Sequence, residues 1–340
     1  MPAVFYLTAA CKKDAPNTSS ITANEISITT SILQKDLVVR DPVITKEGDV
    51  FYLFSTGRGI KVFSSRDLTN WKAEKRVFDT TPDWVNRTIS NFNHDIWAPD
   101  ISYHNGKYYL FYAVSSFGTN NSAIGIATNE TLDPLAKNYK WEDRGKILQS
   151  IPGETNWNAI DPNLIKDSLG DIYLSFGSFW EGLKIVKLKK DLSGIDGELQ
   201  KATTIAGRKP VASSPVLRWS GDNAIEAPFI FRKGKFYYLF ASIDYCCKGI
   251  NSTYKIIVGR SERIDGPFVD ESGKRMTEGG GNIVLKGNSS WYGVGHNSIL
   301  SSEGSEYLVF HGYDASDNGM PKLRIEKITW DEDGWPRVNN

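Results

Sequence analysis

A two-part phrase recurs five times along the chain, and few folds accommodate a repeat of that length. Each copy opens with a small polar motif leading into a short apolar segment. The openings are Arg40-Asp41-Pro42-Val43-Ile44, Trp97-Ala98-Pro99-Asp100-Ile101, Ile160-Asp161-Pro162-Asn163-Leu164, Glu226-Ala227-Pro228-Phe229-Ile230 and Gly295-His296-Asn297-Ser298-Ile299. An aromatic strand answers each: Phe51-Tyr52-Leu53-Phe54, Tyr108-Tyr109-Leu110-Phe111, Ile172-Tyr173-Leu174-Ser175, Tyr237-Tyr238-Leu239-Phe240 and Glu306-Tyr307-Leu308-Val309. From the third residue of each opening to the strand tyrosine the distance is 10, 10, 11, 10 and 10 residues, and successive tyrosines lie 57, 64, 65 and 69 apart. Short strands repeating at that period predict an all-β, five-bladed β-propeller with one blade per copy. In such a ring the openings occupy corresponding places around one axis, so their side chains meet.

Other strand signals agree. Ile124–Thr128, Leu183–Lys189 and Lys255–Arg260 are β-rich runs bounded by turn formers. Gly48-Asp49, Asn105-Gly106, Gly170-Asp171 and Lys233-Gly234 fall between opening and aromatic strand, where hairpin turns belong. The phrases Ser64–Trp71 and Gly259–Phe268 read as equivalent turns between third and fourth strands. The blades take up residues 29–340 as one domain, with no second domain or linker after residue 28.

Lys plus Arg and Asp plus Glu both number 40. With no basic block, nucleic acid and anionic membrane surfaces are poor partners, and nothing calls for more than a monomer. No run approaches the roughly 18 apolar residues that span a bilayer as a helix. Residues 1–28 differ from the rest. A short apolar run ends at Cys11, followed by Lys12 and Lys13 and then a polar tether. This resembles the tail of a bacterial lipoprotein signal, with Cys11 the lipid-bearing residue. The chain is therefore expected to be exported, as a periplasmic or surface lipoprotein or in secreted form. Cys246 and Cys247 are adjacent, and are either two thiols or a vicinal bridge.

The slot before the third residue of each opening holds Asp41, Ala98, Asp161, Ala227 and His296, and one slot earlier lie Arg40, Trp97, Ile160, Glu226 and Gly295. An Asp-Pro pair alone often just starts a strand. Two at matching places in a repeat, with a glutamate beside the same slot in a third, point to use, because buried carboxylates are costly unless paired or functional. Strand side chains alternate, so Glu226 faces away from Asp41 and Asp161 unless a bulge turns it inward. Carboxylates from separate elements around an aromatic-lined hollow suit glycoside hydrolysis, one protonating the leaving oxygen and another activating water. No G-x-S-x-G, H-E-x-x-H, P-loop or paired C-x-x-C motif supports a rival chemistry.

The phrases VVRDPVI, IWAPDI, VSSFGTNNSAIGIATN, NAIDPNLIKD, SFGSFW, AIEAPFIF, YCCKGINSTYKIIVGRS and GHNSI make the resemblance specific. Together they resemble glycoside hydrolase family 43, nearest its endo-α-1,5-L-arabinanases, from about residue 37 to the C-terminal WDEDGWPRV. The resemblance implies inverting cleavage of internal bonds in arabinan or arabino-oligosaccharides. Asp41 would be the general base, Glu226 the general acid, and Asp161 the carboxylate that orients and tunes the acid. His296 would help hold a calcium ion surrounded mostly by water; as a lone residue it would read as a neutral core imidazole. Trp97, Phe117, Asn158, Ser178 and Trp180 match positions lining the sugar cleft, although core packing competes for Trp97 and Trp180; Arg40 reads as a contact to substrate hydroxyls or a partner of a neighbouring carboxylate. Asp100, deeper on its strand, reads as structural. Endo-arabinanases commonly carry His where this chain has Arg40. That departure leaves open an exo-acting arabinofuranosidase or β-xylosidase of the same family. A catalytically silent glycan-binding propeller is the reading from a different class.

Overall fold

Alternate residues of each aromatic strand pack against different neighbours, and this arranges the molecule. In the computed structural model, which describes residues 31–209 and 223–339, Tyr52 and Phe54 join a core cluster with Leu110 and Tyr112 of the next repeat. Phe51 and Leu53, on the opposite face of the same strand, join Leu300, Val309 and Leu323 of the last repeat. Phe111 packs with Leu164 and Leu174, Ile185 with Tyr237 and Leu239, and Tyr238 and Phe240 with Leu308 and Phe310. Five clusters thus fill the interfaces of five sheets closed into a propeller, with both faces of every sheet buried. Continuous apolar runs such as Tyr237–Phe240 follow from that burial. Each fully buried Leu or Phe in them stabilises the ring by about 1.5–3 kcal/mol.

The sheets are antiparallel and follow the repeats in order. Blade one is built on Val43–Glu47, Val50–Ser55, Lys61–Ser65 and Asn70–Ala73, with Ile32–Leu33 added outside. Blade two has Asp95–His104, Lys107–Ser115, Ser122–Asn129 and Glu142–Ser150, with Gly57–Arg58 paired on its inner edge. Blade three comprises Asn163–Lys166, Ile172–Phe176, Leu183–Leu188 and Thr203–Ala206. Blade four comprises Ile225–Lys233, Phe236–Ile243, Lys255–Ser261 and Asn282–Lys286. Blade five runs through Trp291–Ser302, Ser305–Asp314, Met320–Trp330 and Pro336–Val338. Every opening lies on, or leads into, an innermost strand. One outer-strand expectation is corrected. Ser64–Trp71 does turn directly from third to fourth strand, but Gly259–Phe268 leaves the third strand for a longer excursion. That excursion pairs Arg260 with Val269 before the fourth strand begins at Asn282.

The ring closes between blades five and one. Val38 bridges Lys322, the Leu323 N–H donates to Leu37 O at 2.9 Å, and the Val39 N–H donates to Pro321 O at 3.2 Å. Leu37 and Val39 are buried behind these bonds. Cys11 and the expected tether at 1–28 lie outside the described residues.

Candidate active site

The slot singled out in the repeat has one backbone conformation in all five blades. Asp41, Ala98, Asp161, Ala227 and His296 have φ of 52°, 46°, 56°, 54° and 53°. Left-handed backbone is unfavourable for residues with a Cβ, by roughly 1–2 kcal/mol each, and such outliers gather where function requires them. The cause is a β-bulge repeated in every blade. In blade four Glu226 pairs with Ser242 and the next pair is Phe229 with Phe240, so Ala227-Pro228 oppose a single residue. Trp97 with Ala113 and Gly295 with His311 precede the same shift in blades two and five. In blades one and three, Thr56 N–H to Arg40 O at 3.1 Å and Gly177 N–H to Ile160 O at 2.8 Å hold the corresponding residues together. Proline follows the slot in four blades, where the interrupted ladder needs no N–H. This bulge supplies the inward turn that regular alternation denies Glu226.

The cross-strand partners Thr56, Ser242 and His311, each four residues beyond a strand tyrosine, tie one blade's bulge to the next. The Ala98 N–H donates to Thr56 Oγ1 at 2.8 Å, the His296 N–H to Ser242 Oγ at 2.8 Å, and the Asp41 N–H to His311 Nδ1 at 3.2 Å. Blade three has Gly177 there, and the Ala227 N–H donates instead to Asp161 Oδ2 at 3.0 Å. Asp100 accepts the Leu164 N–H at 2.7 Å, consistent with a structural part. The repeat reading missed Thr56, Ser242 and His311; their constant distance from the tyrosine was the available signal.

Asp41, Asp161, Glu226 and His296 come together at the mouth. Asp41 is half-buried. Burial pushes its pKa up, but His296, His311, the Thr56 hydroxyl and Arg40 together hold it below the ordinary 3.8. His296 Nδ1 lies 3.1 Å from Asp41 Oδ1, and the Thr56 hydroxyl donates to Asp41 Oδ2. Glu226 is buried; its Oε2 accepts from Ser178 Oγ at 2.9 Å and its Oε1 from Tyr254 OH at 2.7 Å. Burial raises its pKa above the ordinary 4.5 in spite of these donors and of His296, and Asp41 adds to the rise. Asp161 is likewise raised, by burial first and then by Glu226 and Asp41, with His296 opposing. Burial lowers the affinity of His296 for a proton, but Asp41, Asp161 and Glu226 outweigh it and raise its pKa above 6.5.

Beneath the carboxyls all five inner strands line one cavity of about 20 Å³, which includes Asp41, Asp100, Asp161, His296 and Asn297. That is room for one water or one ion. Asn297 is 3 % exposed, and neither its Oδ1 nor its Nδ2 has a partner among the described residues. Oxygen donors, an orphaned amide and a field that already draws a proton onto His296 fit a hard cation such as calcium. Among the described residues no three His, Cys, Asp or Glu side chains could hold a metal by themselves, so solvent would complete its shell.

The remaining candidates divide. Arg40 is exposed, Trp97 half-buried and Phe117 79 % exposed, with the Trp97 and Phe117 rings edge to face at 6.4 Å. Ser178 touches Glu226 directly. Trp180 is buried with no partner for its Nε1 among the described residues. Asn158 is buried and accepts from Ser122 Oγ at 2.6 Å, a layer below the surface.

Carboxyls of opposed proton affinity in one mouth define a site of the glycoside-hydrolase kind. The family model described as Glycosyl hydrolases family 43 matches residues 29–336. This chain belongs to that family. It is 48 % identical over 307 residues to an extracellular exo-α-(1→5)-L-arabinofuranosidase of Cellvibrio japonicus, covering 90 % of this chain and 87 % of that one. It is 42 % identical over 303 residues to the extracellular endo-α-(1→5)-L-arabinanase 1 of Bacillus subtilis, covering 88 % and 87 %. Among solved structures, a Cellvibrio cellulosa α-L-arabinanase complexed with arabinohexaose superposes with a TM-score of 0.84 at 47 % identity, covering 89 % of this chain and 96 % of that one. An exo-1,5-α-L-arabinanase from a bovine ruminal metagenomic library gives 0.84 at 44 %, covering 91 % and 98 %.

Proposed function

We propose that the protein hydrolyses α-1,5-linked L-arabinan with inversion of configuration. The observation that carries this is the contrast between Asp41, kept below the ordinary aspartate value chiefly by His296 and the Thr56 hydroxyl against its burial, and Glu226, raised above the ordinary glutamate value by burial in the same mouth. Asp41 takes the proton of the attacking water, and Glu226 gives one to the leaving oxygen. Asp161 stands beside the acid through Ala227 N and discourages its ionisation. Exposed Phe117 and half-buried Trp97 offer faces for sugar rings, while exposed Arg40 offers donors to hydroxyls. A calcium ion held by His296, the Asn297 amide oxygen and water would supply positive charge beneath the carboxylates. The relatives named extracellular support export.

Internal cleavage is the mode expected from the motifs. A second reading, release of short products from a chain end, is favoured by the two relatives with exo names and by Arg40. Reducing-sugar release from linear arabinan tests the activity, and its absence would leave the glycan-binding reading. The early product profile separates the two modes: a falling viscosity with mixed oligosaccharides for internal cleavage, a single small product for exo action.

A further inference from the structure

Between the second and third strands of blade four, Cys246 and Cys247 form a vicinal disulfide, with Cα atoms 3.8 Å apart. Cys246 is half-buried and Cys247 exposed, so soluble reductants reach the bridge. Cys247 holds a left-handed backbone, φ 61°, and its N–H donates to Tyr313 OH at 2.6 Å. The Tyr313 oxygen lies 3.4 Å from His311 Nε2. The other ring nitrogen, Nδ1, accepts the Asp41 N–H at 3.2 Å and stands 3.7 Å from Asp41 Oδ1. An accepting Nδ1 puts the ring proton on Nε2, so Tyr313 accepts from both His311 and Cys247. Tyr313 is 0 % and His311 1 % exposed, so water does not replace a partner that leaves.

We propose that the Cys246–Cys247 bridge is a redox-sensitive positioning element for Asp41, connected to it through Tyr313 and His311. This rests on Asp41 being the general base. In the switching step a thiolate of a dithiol reductant attacks one cysteine sulfur, breaking the S–S bond and forming a mixed disulfide. The reductant's second thiol then displaces that cysteine, and two electrons and two protons end on two cysteine thiols while the reductant becomes a disulfide. The bridge closes a small ring around the peptide bond joining the two residues. Once that ring opens, Cys247 is free to leave its left-handed conformation. Its N–H then leaves Tyr313, and the support of the Asp41 backbone loosens. Because Asp41 acts on water rather than on sugar binding, turnover falls and KM does not.

The test treats the full chain with dithiothreitol until two further thiols titrate, then measures kcat and KM on linear arabinan below the melting temperature of the reduced enzyme. A fall in kcat of about tenfold or more is expected. KM should stay within about twofold, and reoxidation should restore kcat. Tyr313→Phe, which keeps the ring and removes the oxygen, should show the lowered kcat and no further response to the reductant. Unchanged kcat with both thiols free would overturn the proposal. So would a full reductant response in Tyr313→Phe. Activity surviving in Asp41→Asn would instead remove the general-base reading itself. An inactive Asp41→Asn beside an indifferent reduced enzyme removes the redox link alone.

Discussion

Asp41, Asp161 and Glu226 carry the same functional group and differ in what surrounds it, so their roles are testable by titration and by single-atom changes. On the proposed roles, activity needs Asp41 ionised and Glu226 protonated. The acid limb of the pH profile should therefore lie below the ordinary aspartate value of 3.8, and the alkaline limb above the ordinary glutamate value of 4.5. Asp41→Asn should cost roughly 10²–10⁴-fold in kcat on every substrate. Glu226→Gln should cost as much on arabinan but spare an aryl arabinoside whose leaving group departs without a proton. Burial lifts Asp161 itself to about 8, so it titrates together with Glu226; Asp161→Asn should move the alkaline limb to lower pH, because the last proton of such a pair is held against the partner's charge and that partner is gone. The pH dependence of kcat/KM measures all three. NMR of the first-formed sugar checks the inversion, and retained configuration would overturn the assignment of Asp41 as base.

The bulge gives these residues their places, and much of it could be anticipated. Strand runs, hairpin turns and the five openings were legible because the periods of strand and repeat are written in apolar and turn residues. The inward turn of Glu226 was legible as a requirement, since alternation forbade it. Thr56, Ser242 and His311 were not, because each copy uses a different residue and the common feature is a place. Tyr254 was hidden for another reason: it comes from the approach to a third strand, where the repeat has no matching phrase. Gly295 shows how tightly this layer is packed. A Cβ there would meet the Tyr254 ring at 2.0 Å, and Tyr254 is the donor to Glu226. Gly295→Ala should therefore push Tyr254 off the acid and lower turnover while the ring stays folded. Far-ultraviolet circular dichroism beside kcat checks this, and a fully active variant would show that the Tyr254 bond is dispensable.

Across the whole molecule, stability should depend on what completes the ring. A chain starting at residue 40 loses Leu37 and Val39 from the seam, a cost of about 3–6 kcal/mol, read as a lowered denaturant midpoint. An ion bound to the native state at one hundred times its Kd would add about 2.7 kcal/mol. Chelator should thus lower the melting temperature and calcium restore it, and indifference to both would remove the ion from the central cavity. The seam has a consequence in time as well as in energy. Ribosomes make the chain from blade one to blade five, so Asp41 emerges among the first residues, but His296 and His311 belong to the last blade. A nascent or prematurely ended chain already carries Asp161 and Glu226, yet lacks His311, which accepts the Asp41 N–H, and His296 beside the Asp41 carboxylate. With Asp41 as the base, synthesis must run nearly to its end before hydrolysis can begin, and incomplete chains are silent by construction.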